Sequence, residues 1–433
     1  MRRVQSLYYL EKGFQMKKSL LLLSLFFSCA YTQTLSLEQS IEKTLLNNPD
    51  IQSFILKTEL SQKNYDATFA DNLPQINLQG EYDFSQTYTS SSNGTFYTKE
   101  KDAWYSGANL KQKIWDFQKT SFKVDSLKID EDIATLSLED MKSYMVYKIK
   151  SLYKLIVVQK EAIEVHKKDL DSKKAYYEQA QALVAQGFKT KADSSRFLSA
   201  VYLSEENLAI AQASFDKTKK SLSLYIGEKI KDDTTFESDI IKKNYSFESD
   251  SLEEEILNNN SQLKIDALNI DKNKLLYKSA KASHYGSIDG VASYNHFNTL
   301  NEYNTSTIGV TVVVPLYSGG RIEAETQKAK INIQLAKQEQ LSKILAIKEN
   351  LSNLFIDIAR YDKTIASKQA QLHWATDTKD VLEGRYKEGL STYIELLDAE
   401  SLILTAQLEL LEAYYTKSIS IDQVDYLKGK YNE

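Results

Sequence analysis

Histidine is the side chain best suited to acid–base and metal chemistry near neutral pH, and this 433-residue chain contains four of them. They lie at scattered positions, which are His166, His284, His296 and His373. None forms a metal-ligand cluster with acidic residues at a useful spacing. The pair Gly319-Gly320 lacks the Lys-Ser/Thr that completes a phosphate-binding loop. We therefore expect a protein that is not an enzyme and that uses no metal ion or cofactor.

Two carboxylates suggest a different kind of chemistry. Glu395 and Asp398 are three residues apart in a helical segment, so both side chains lie on one helix face. Carboxylates held together on one helix face attract cations. The alternative is an ordinary acidic helix face in contact with solvent. The residues alone leave both interpretations open.

The charge of the chain argues against a nucleic-acid partner. Its 54 basic and 59 acidic residues are mixed along the sequence and give a net charge of −5. Because no basic block is present, the electrostatic signature of a nucleic-acid-binding protein is missing.

Glycines mark an internal repeat. Three of them recur at one constant offset, which pairs Gly107 with Gly309, Gly187 with Gly389, and Gly227 with Gly429. Between these marks the same order of elements can be read twice: a helix, two short strands, a very long helix, a tight turn and another long helix. We therefore expect a leader (1–30), a first repeat (31–229), a linker (230–250) and a second repeat (251–433).

The two central segments of the repeats predict very long helices. Residues 118–186 and 321–383 contain no glycine or proline and are rich in helix-forming side chains. Helices of about 65 residues would be about 100 Å long, so they must pack along one another. In the last helix an apolar seam with coiled-coil spacing supports this packing. Its members are Leu397, Leu404, Leu408, Leu411 and Tyr415.

Four short segments alternate between apolar and polar residues with a period of two, which predicts strands. They span residues 76–84, 108–115, 288–295 and 308–316. A polar loop is expected at 85–105, and Trp115 is placed on the polar face of its strand.

The length of these strands fits a membrane. About ten residues is the length of a tilted membrane-spanning β-strand. In lipid, strands are stable only in a closed barrel, and four strands cannot close around a lumen. Either several copies share one barrel, or the strands form two soluble hairpins that cap a coiled coil.

The N-terminus has the pattern of a targeting segment. Lys17 and Lys18 are followed by an apolar run, residues 19–27, which is too short to cross a bilayer. Small residues then allow cleavage after Ala30. Residues 1–15 do not fit this pattern, so we expect Met16 to be the true start.

The only cysteine, Cys29, lies in this segment, so no disulfide is expected in the mature protein. Its surroundings also resemble a lipoprotein cleavage box in which Phe replaces the usual Leu. Lipidation of Cys29 is therefore an open alternative to simple cleavage.

Nearly the whole mature chain resembles the TolC-like outer membrane efflux proteins. The resemblance rests on residues 45–49 (LLNNP), 73–76 (LPQI), 312–321 (VVVPLYSGGR) and 385–399 (RYKEGLSTYIELLDA). It implies a mainly α fold with a small β part, in which three protomers supply a 12-stranded β-barrel that continues into a 12-helix periplasmic α-barrel. The implied function is an exit duct for efflux or type I secretion.

The resemblance also implies partners. These are two further copies in a homotrimer, outer membrane lipid, a periplasmic adaptor protein and an inner-membrane pump that supplies the energy. A secreted periplasmic coiled-coil scaffold that never enters lipid is the alternative from another class.

Three groups of residues match functional positions of the family. Glu395 and Asp398 match the acidic residues of the pore constriction. Asp193 and Tyr386 match a hydrogen-bonded latch that keeps the entrance shut, although Tyr386 could instead simply pack within the hairpin. The turns at Gly187-Phe188 and Gly389-Leu390 match the adaptor-docking tips, although they are also ordinary helix ends.

Overall fold

A computed structural model describes residues 34–90, 96–100, 102–238, 249–299, 302–388 and 390–429. Several predicted features lie outside these described residues. They are the leader 1–30 with its start at Met16 and with Cys29, residue Gly389 of the second turn, and residues 239–248 of the linker.

The first half of the chain begins with a two-residue strand and ends with two long helices. Its elements are β1 (Thr34–Leu35), α1 (Leu37–Asn47), α2 (Pro49–Phe69), a short 3-10 turn (Ala70–Asn72), β2 (Gln75–Asp83), β3 (Gln86–Ser90), β4 (Phe96–Glu100), β5 (Ala103–Trp115), α3 (Lys119–Ala185) and α4 (Lys191–Ile226).

The second half repeats this order without the β3–β4 hairpin. Its elements are β6 (Thr235–Phe236), α5 (Ser249–Asn259), α6 (Ser261–Ala282), β7 (Ser287–Asn298), β8 (Glu302–Val313), α7 (Arg321–Lys387) and α8 (Tyr393–Leu427). Helices α3 and α7 are both 67 residues long, close to the predicted length. They begin at Lys119 and Arg321, which are separated by the same offset as the paired glycines.

The β3–β4 hairpin explains why the spacing between equivalent elements of the two halves changes along the chain. The segment from the start of α2 to the start of α3 runs from Pro49 to Lys119, and the matching segment runs from Ser261 to Arg321. The first of these segments is ten residues longer. The prediction of a loop at 85–105 is wrong in this respect, because β3 and β4 pair with each other and β5 already begins at Ala103. Threonine and tyrosine are enriched in strands although serine favours turns, so a composition rich in all three does not by itself indicate a loop.

Side-chain caps explain where the short helices stop and restart. The Asn48 side chain accepts a hydrogen bond from the backbone of Asp50, and Pro49 occupies the first position of α2. In the second half Asn260 does the same for α6, accepting from the backbone of Leu263. A polar side chain at the junction thus satisfies a backbone donor that a helix start leaves unpaired.

The four predicted strands form one antiparallel sheet with the order β2-β5-β7-β8. Within the described residues, β2 and β8 pair on one side only and are the edges of the sheet. The register aligns the predicted apolar sets of the strands across one face, apart from Ser306. One row is Leu78, Ala108, Tyr294 and Ser306, and the next is Ile76, Leu110, Ala292 and Ile308.

A bulge near the end of β5 corrects one prediction. The pairing with β7 shifts between Lys113 and Trp115, so that Trp115 lies opposite Ile288. Trp115 therefore belongs to the apolar face, and not to the polar face that strict alternation predicted. A single extra residue reverses the side on which every later side chain points.

The described residues form three buried apolar clusters spread along the length of the chain, because such an elongated molecule cannot gather one core. The first joins α1, α3 and α4 around Tyr153 and Ile226. The second joins α5, α7 and α8 around Leu351 and Val424. The third lies near the ends of the long helices and is centred on Phe197.

The predicted seam of α8 is only half-buried within one chain. Its members, Leu397 to Tyr415, lie beside a fully buried row that contains Leu396, Ala406 and Ala413. Alanine allows neighbouring helix backbones to approach closely. The predicted seam followed the spacing of the leucines and therefore missed this buried row. Among the described helices, none carries an apolar stretch sufficient to cross a bilayer.

Candidate functional site at the ends of the long helices

The first tip is the turn that joins α3 to α4. Gly187 has a φ of +78°, which glycine adopts without strain, and the backbone of Phe188 donates to the carbonyl of Leu183 at 3.0 Å. The Phe188 side chain is 72% exposed. The turn thus presents an apolar ring to solvent at the end of the molecule.

The second tip joins α7 to α8 and has the same form in its described part. The backbone of Leu390 donates to the carbonyl of Arg385 at 2.8 Å, and the Leu390 side chain is 63% exposed. The guanidinium of Arg385 donates to the carbonyl of Leu390 at 3.3 Å, so this arginine closes the turn. Both tips therefore end in a glycine position followed by an exposed apolar residue.

Each tip is followed by a capping box. The backbone amide of Thr190 donates to the carboxylate of Asp193 at 3.0 Å, and the amide of Asp193 donates back to the Thr190 hydroxyl at 3.4 Å. Thr392 and Glu395 make the same two contacts at 3.0 and 3.4 Å. Hydrogen bonds from Thr190 lower the pKa of Asp193. The pattern Thr-x-x-Asp/Glu is visible in the sequence and is the local signal that predicts this cap.

The two predicted constriction residues lie on the first turns of α8. Glu395 is the third residue of the helix and Asp398 the sixth, and both are exposed. Their spacing places both carboxylates on one face, as expected. Within a single chain the Glu395 carboxylate accepts a hydrogen bond from the backbone amide of Thr392. In the described residues no such contact restrains the Asp398 carboxylate.

The two predicted latch residues lie near each other but share no hydrogen bond in the described chain. Tyr386 is 2% exposed, and its hydroxyl has no hydrogen-bond partner in the part of the chain that the structure describes. Burial, and after it the charge of Asp193, raise the pKa of Tyr386. Because Asp193 accepts both the amide and the hydroxyl of Thr190, its carboxylate is engaged in the cap. The latch therefore stays a prediction.

An aromatic cluster surrounds Tyr386 and connects the two helical hairpins. The ring of Phe197 lies 6.1 Å from Tyr176, 6.3 Å from Tyr386 and 5.9 Å from Tyr393 between centroids. The guanidinium of Arg196 lies over the Tyr393 ring and donates to its hydroxyl. This link between α4 and α8 was not anticipated, because residues so distant in the chain give no sequence signal of contact.

Metal ligands are not grouped in the part of the chain that the structure describes. There, no three residues among His, Cys, Asp and Glu are arranged to hold an ion. Of the four histidines, His284 and His296 lie beside glutamates at 3.9 and 3.8 Å near the sheet, far apart in sequence from the tips. The arrangement at the tips is thus one of helix caps, aromatic packing and exposed carboxylates.

Comparison with known proteins identifies the family. The sequence model described as "Outer membrane efflux protein" matches residues 40–228 and 252–427. The chain is 22% identical to the outer membrane protein TolC of Salmonella enteritidis, over 97% of this chain and 87% of that protein. It is 21% identical to the pyoverdine export outer membrane protein OpmQ of Pseudomonas aeruginosa, over 86% and 80% of the two chains.

A solved structure shows the same fold. The CmeC outer membrane channel of Campylobacter jejuni superposes with a TM-score of 0.78 at 15% identity, covering 91% of this chain and 85% of that one. The matched ranges include both long helical hairpins and all four strands of the sheet. The chain therefore belongs to the outer membrane efflux protein family, and it is an outer membrane channel for efflux or secretion and not an enzyme.

Proposed function

We propose that three copies of this chain assemble into one continuous duct, in which each contributes four strands to a barrel in the outer membrane and two helical hairpins to a periplasmic tunnel. The observation that carries this proposal is the sheet with two open edges. A sheet in lipid must have every backbone group paired, and β2 and β8 each have one unpaired side in the described chain. Pairing β8 of one copy with β2 of the next removes both edges.

The two faces of the sheet support a lipid side and a water side. On one face Leu78 and Ile308 are 85% and 90% exposed, although both are strongly apolar. On the other face the register aligns Asn77 with Asn109, which in turn lies opposite Ser293. An exposed apolar face suits lipid, and a polar face suits a water-filled lumen.

The tips suit the entrance of such a duct. We propose that Glu395 and Asp398 from three copies form two stacked carboxylate rings, which would favour cations in a narrow opening. Asp193 would exchange between its cap on Thr190 and the free hydroxyl of Tyr386, so that the latch closes in one state of the entrance.

The exposed apolar residues at the tips support a docking role. A periplasmic adaptor protein would bind at the two turns, one formed by Gly187 and Phe188 and the other by Gly389 and Leu390. The adaptor connects the duct to an inner-membrane pump. A duct of this kind is a passive conduit, so the pump supplies the energy. In this proposal residues 1–30 are a targeting leader, and residues 230–250 link the repeats 31–229 and 251–433.

Cysteine cross-linking tests the shared barrel. We would pair Gln79→Cys on β2 with Thr307→Cys on β8, since both side chains are exposed on the polar face. Oxidation of intact membranes should give covalent dimers and trimers, and the unoxidised oligomer should change its mobility on heating. A monomeric product that is fully extracted without detergent would overturn the duct and favour the periplasmic scaffold.

A further inference from the structure

A cluster of buried charges joins all four long helices above the tips. Lys173 of α3 lies 2.9 Å from a carboxylate oxygen of Glu400 on α8, and the two side chains are 9% and 6% exposed. Lys379 of α7 lies 3.8 Å from the other oxygen of Glu400. Asp169 lies one turn before Lys173 on α3, and its carboxylate is 3.5 Å from the Lys173 ammonium group. The same carboxylate accepts a hydrogen bond from the Ser204 hydroxyl of α4 at 2.6 Å.

Each member of the central pair therefore has a second partner on its own hairpin. Glu400 has Lys379 within the α7–α8 hairpin, and Lys173 has Asp169 within α3. Removing one partner of a buried ion pair is costly when the other charge is left alone. Here neither charge would be left alone, because the second contacts of 3.5 and 3.8 Å are already in place. Separation also breaks the hydrogen bond between Tyr176 and Glu400, and Lys379 is shared with Glu383 at 3.6 Å. The pair nevertheless separates at a lower cost than a buried pair that has no second partners.

A second buried pair between the same two helices lacks this arrangement. Lys154 of α3 lies 2.5 Å from Asp422 of α8, with side chains 7% and 8% exposed. In the described residues no second carboxylate lies within ion-pairing distance of Lys154, and burial lowers its pKa. Breaking this pair would leave Lys154 with only the more distant charge of Asp425, beside an apolar cluster. It suits a permanent connection.

The positions of the two pairs fit these different roles. Lys173 lies twelve residues before the end of α3, which corresponds to about 18 Å, whereas Lys154 lies about 46 Å from that end. A cavity of about 160 Å³ borders the first pair and is lined by Asp169, Lys379 and Glu400. It provides room for the Glu400 carboxylate to turn away from Lys173.

We propose that Lys173 and Glu400 form a reversible link between the α3–α4 and α7–α8 hairpins, which breaks when the entrance opens, while Asp169 and Lys379 become the counterions of the separated charges. This inference rests on the proposed duct and its opening at the tips. Lys173 and Glu400 are positioning residues for the gate, and Asp169 and Lys379 set the cost of opening.

Single-channel recording of the purified oligomer in planar bilayers tests this link. Glu400→Gln removes the charge that holds the hairpins together and should raise the open fraction of the resting channel about tenfold. Lys379→Gln removes the counterion needed after separation, so spontaneous openings should become rarer than in the wild type. Glu400→Asp keeps the charge and should behave more like the wild type than Glu400→Gln does.

Asp422→Asn is the matched control, because it breaks a buried pair between the same helices that has no second ion-pairing partner among the described residues. It should lower the thermal unfolding temperature without changing the open fraction. If Glu400→Gln conducts like the wild type, or if Asp422→Asn opens the channel equally, the reversible link is wrong although the duct stands. If the wild type itself forms no channels and does not insert in membranes, the duct is wrong and the link with it.

Discussion

Asp193 and Glu395, one in each half of the chain, hold the same place in two capping boxes. Each is the third residue of its helix, and each accepts the backbone amide of a threonine three residues earlier at 3.0 Å. Sequence resemblance assigns them different roles, one to a latch and one to a constriction. The structure shows that both side chains also cap the start of a long helix. A substitution at either position therefore alters both the role that the resemblance assigns and the stability of the helix start.

Two variants separate the effect of the negative charge of Glu395 from the effect of its hydrogen bond at the helix start. Glu395→Gln removes the charge but keeps an oxygen that accepts from Thr392, as glutamine does in capping boxes. It should reduce cation selectivity, measured as the reversal potential in a salt gradient, with little change in stability. Thr392→Ala keeps the charge and loses the cap, so the free energy of unfolding should fall by about 1 kcal/mol with selectivity unchanged. An unchanged reversal potential in Glu395→Gln would rule out the proposed ring.

The orphaned hydroxyl of Tyr386 gives a second test. Tyr386→Phe removes a buried group that has no partner in the described chain, so the stability of the isolated fold should stay the same or rise slightly. If the latch forms when the entrance closes, the same variant should raise single-channel conductance. Asp193→Ala should raise conductance too, but at a cost in stability, because it also loses the cap. Wild-type conductance in both variants would show that no latch forms.

The candidate site could be predicted only in part from the sequence. The Thr-x-x-Asp and Thr-x-x-Glu patterns are local, so the capping boxes at Asp193 and Glu395 were predictable from the residues. The contacts of Arg196 with Tyr393 and of Lys173 with Glu400 were not. They join residues 197 and 227 positions apart, and their formation depends on how two long hairpins pack.

Two glycines at equivalent places should respond differently to alanine. A Cβ atom at Gly107 would collide with the Asn295 side chain and would lie 2.9 Å from the carbonyl oxygen of Tyr294, whereas at Gly309 the nearest contact would be 4.0 Å. Gly107→Ala should therefore disturb the β5–β7 pairing and reduce the yield of heat-modifiable oligomer in membranes. Gly309→Ala should give a normal yield. Equal yields from the two variants would contradict this difference.

The strands were predictable because their alternation is strict, and the long helices because nothing interrupts them. Two exceptions have physical causes. The β3–β4 hairpin is built from residues that suit loops and strands alike, and the bulge before Trp115 adds one residue without altering the local composition. The short parallel pairing of Thr34 with Thr235 also escaped prediction, because a two-residue strand has no periodicity.

The buried hydroxyl of Tyr153 connects this short sheet to α3 and predicts a pH dependence. It donates to the carbonyl of Leu35 at 2.6 Å and accepts the amide of Glu237 at 2.9 Å. Burial is the main cause that raises the pKa of Tyr153 from 10.0 to about 12. The folded state therefore binds this proton more tightly than the unfolded state does. The resulting stability is complete below pH 10 and is lost as the pH rises towards about 12.

Tyr153→Phe isolates that contribution from those of other tyrosines. At neutral pH it leaves two backbone groups unpaired, so the free energy of unfolding should fall by about 1–3 kcal/mol. Denaturation of the detergent-solubilised protein at several pH values should show the difference between wild type and variant shrinking above pH 10. A difference that stays constant across that range would mean that the hydroxyl ionises as it does in the unfolded chain.

Neighbouring residues on β8 give the sharpest test of which face meets lipid. Ile308 is 90% exposed on the apolar face, and Thr307, the preceding residue, is exposed on the polar face. An arginine in the middle of the lipid-facing side of a barrel costs about 2–4 kcal/mol, whereas in a water-filled lumen it costs little. Ile308→Arg should therefore reduce the amount of oligomer in the outer membrane fraction, and Thr307→Arg should leave the amount unchanged but alter ion selectivity. If Thr307→Arg prevents insertion and Ile308→Arg does not, the apolar face does not meet lipid.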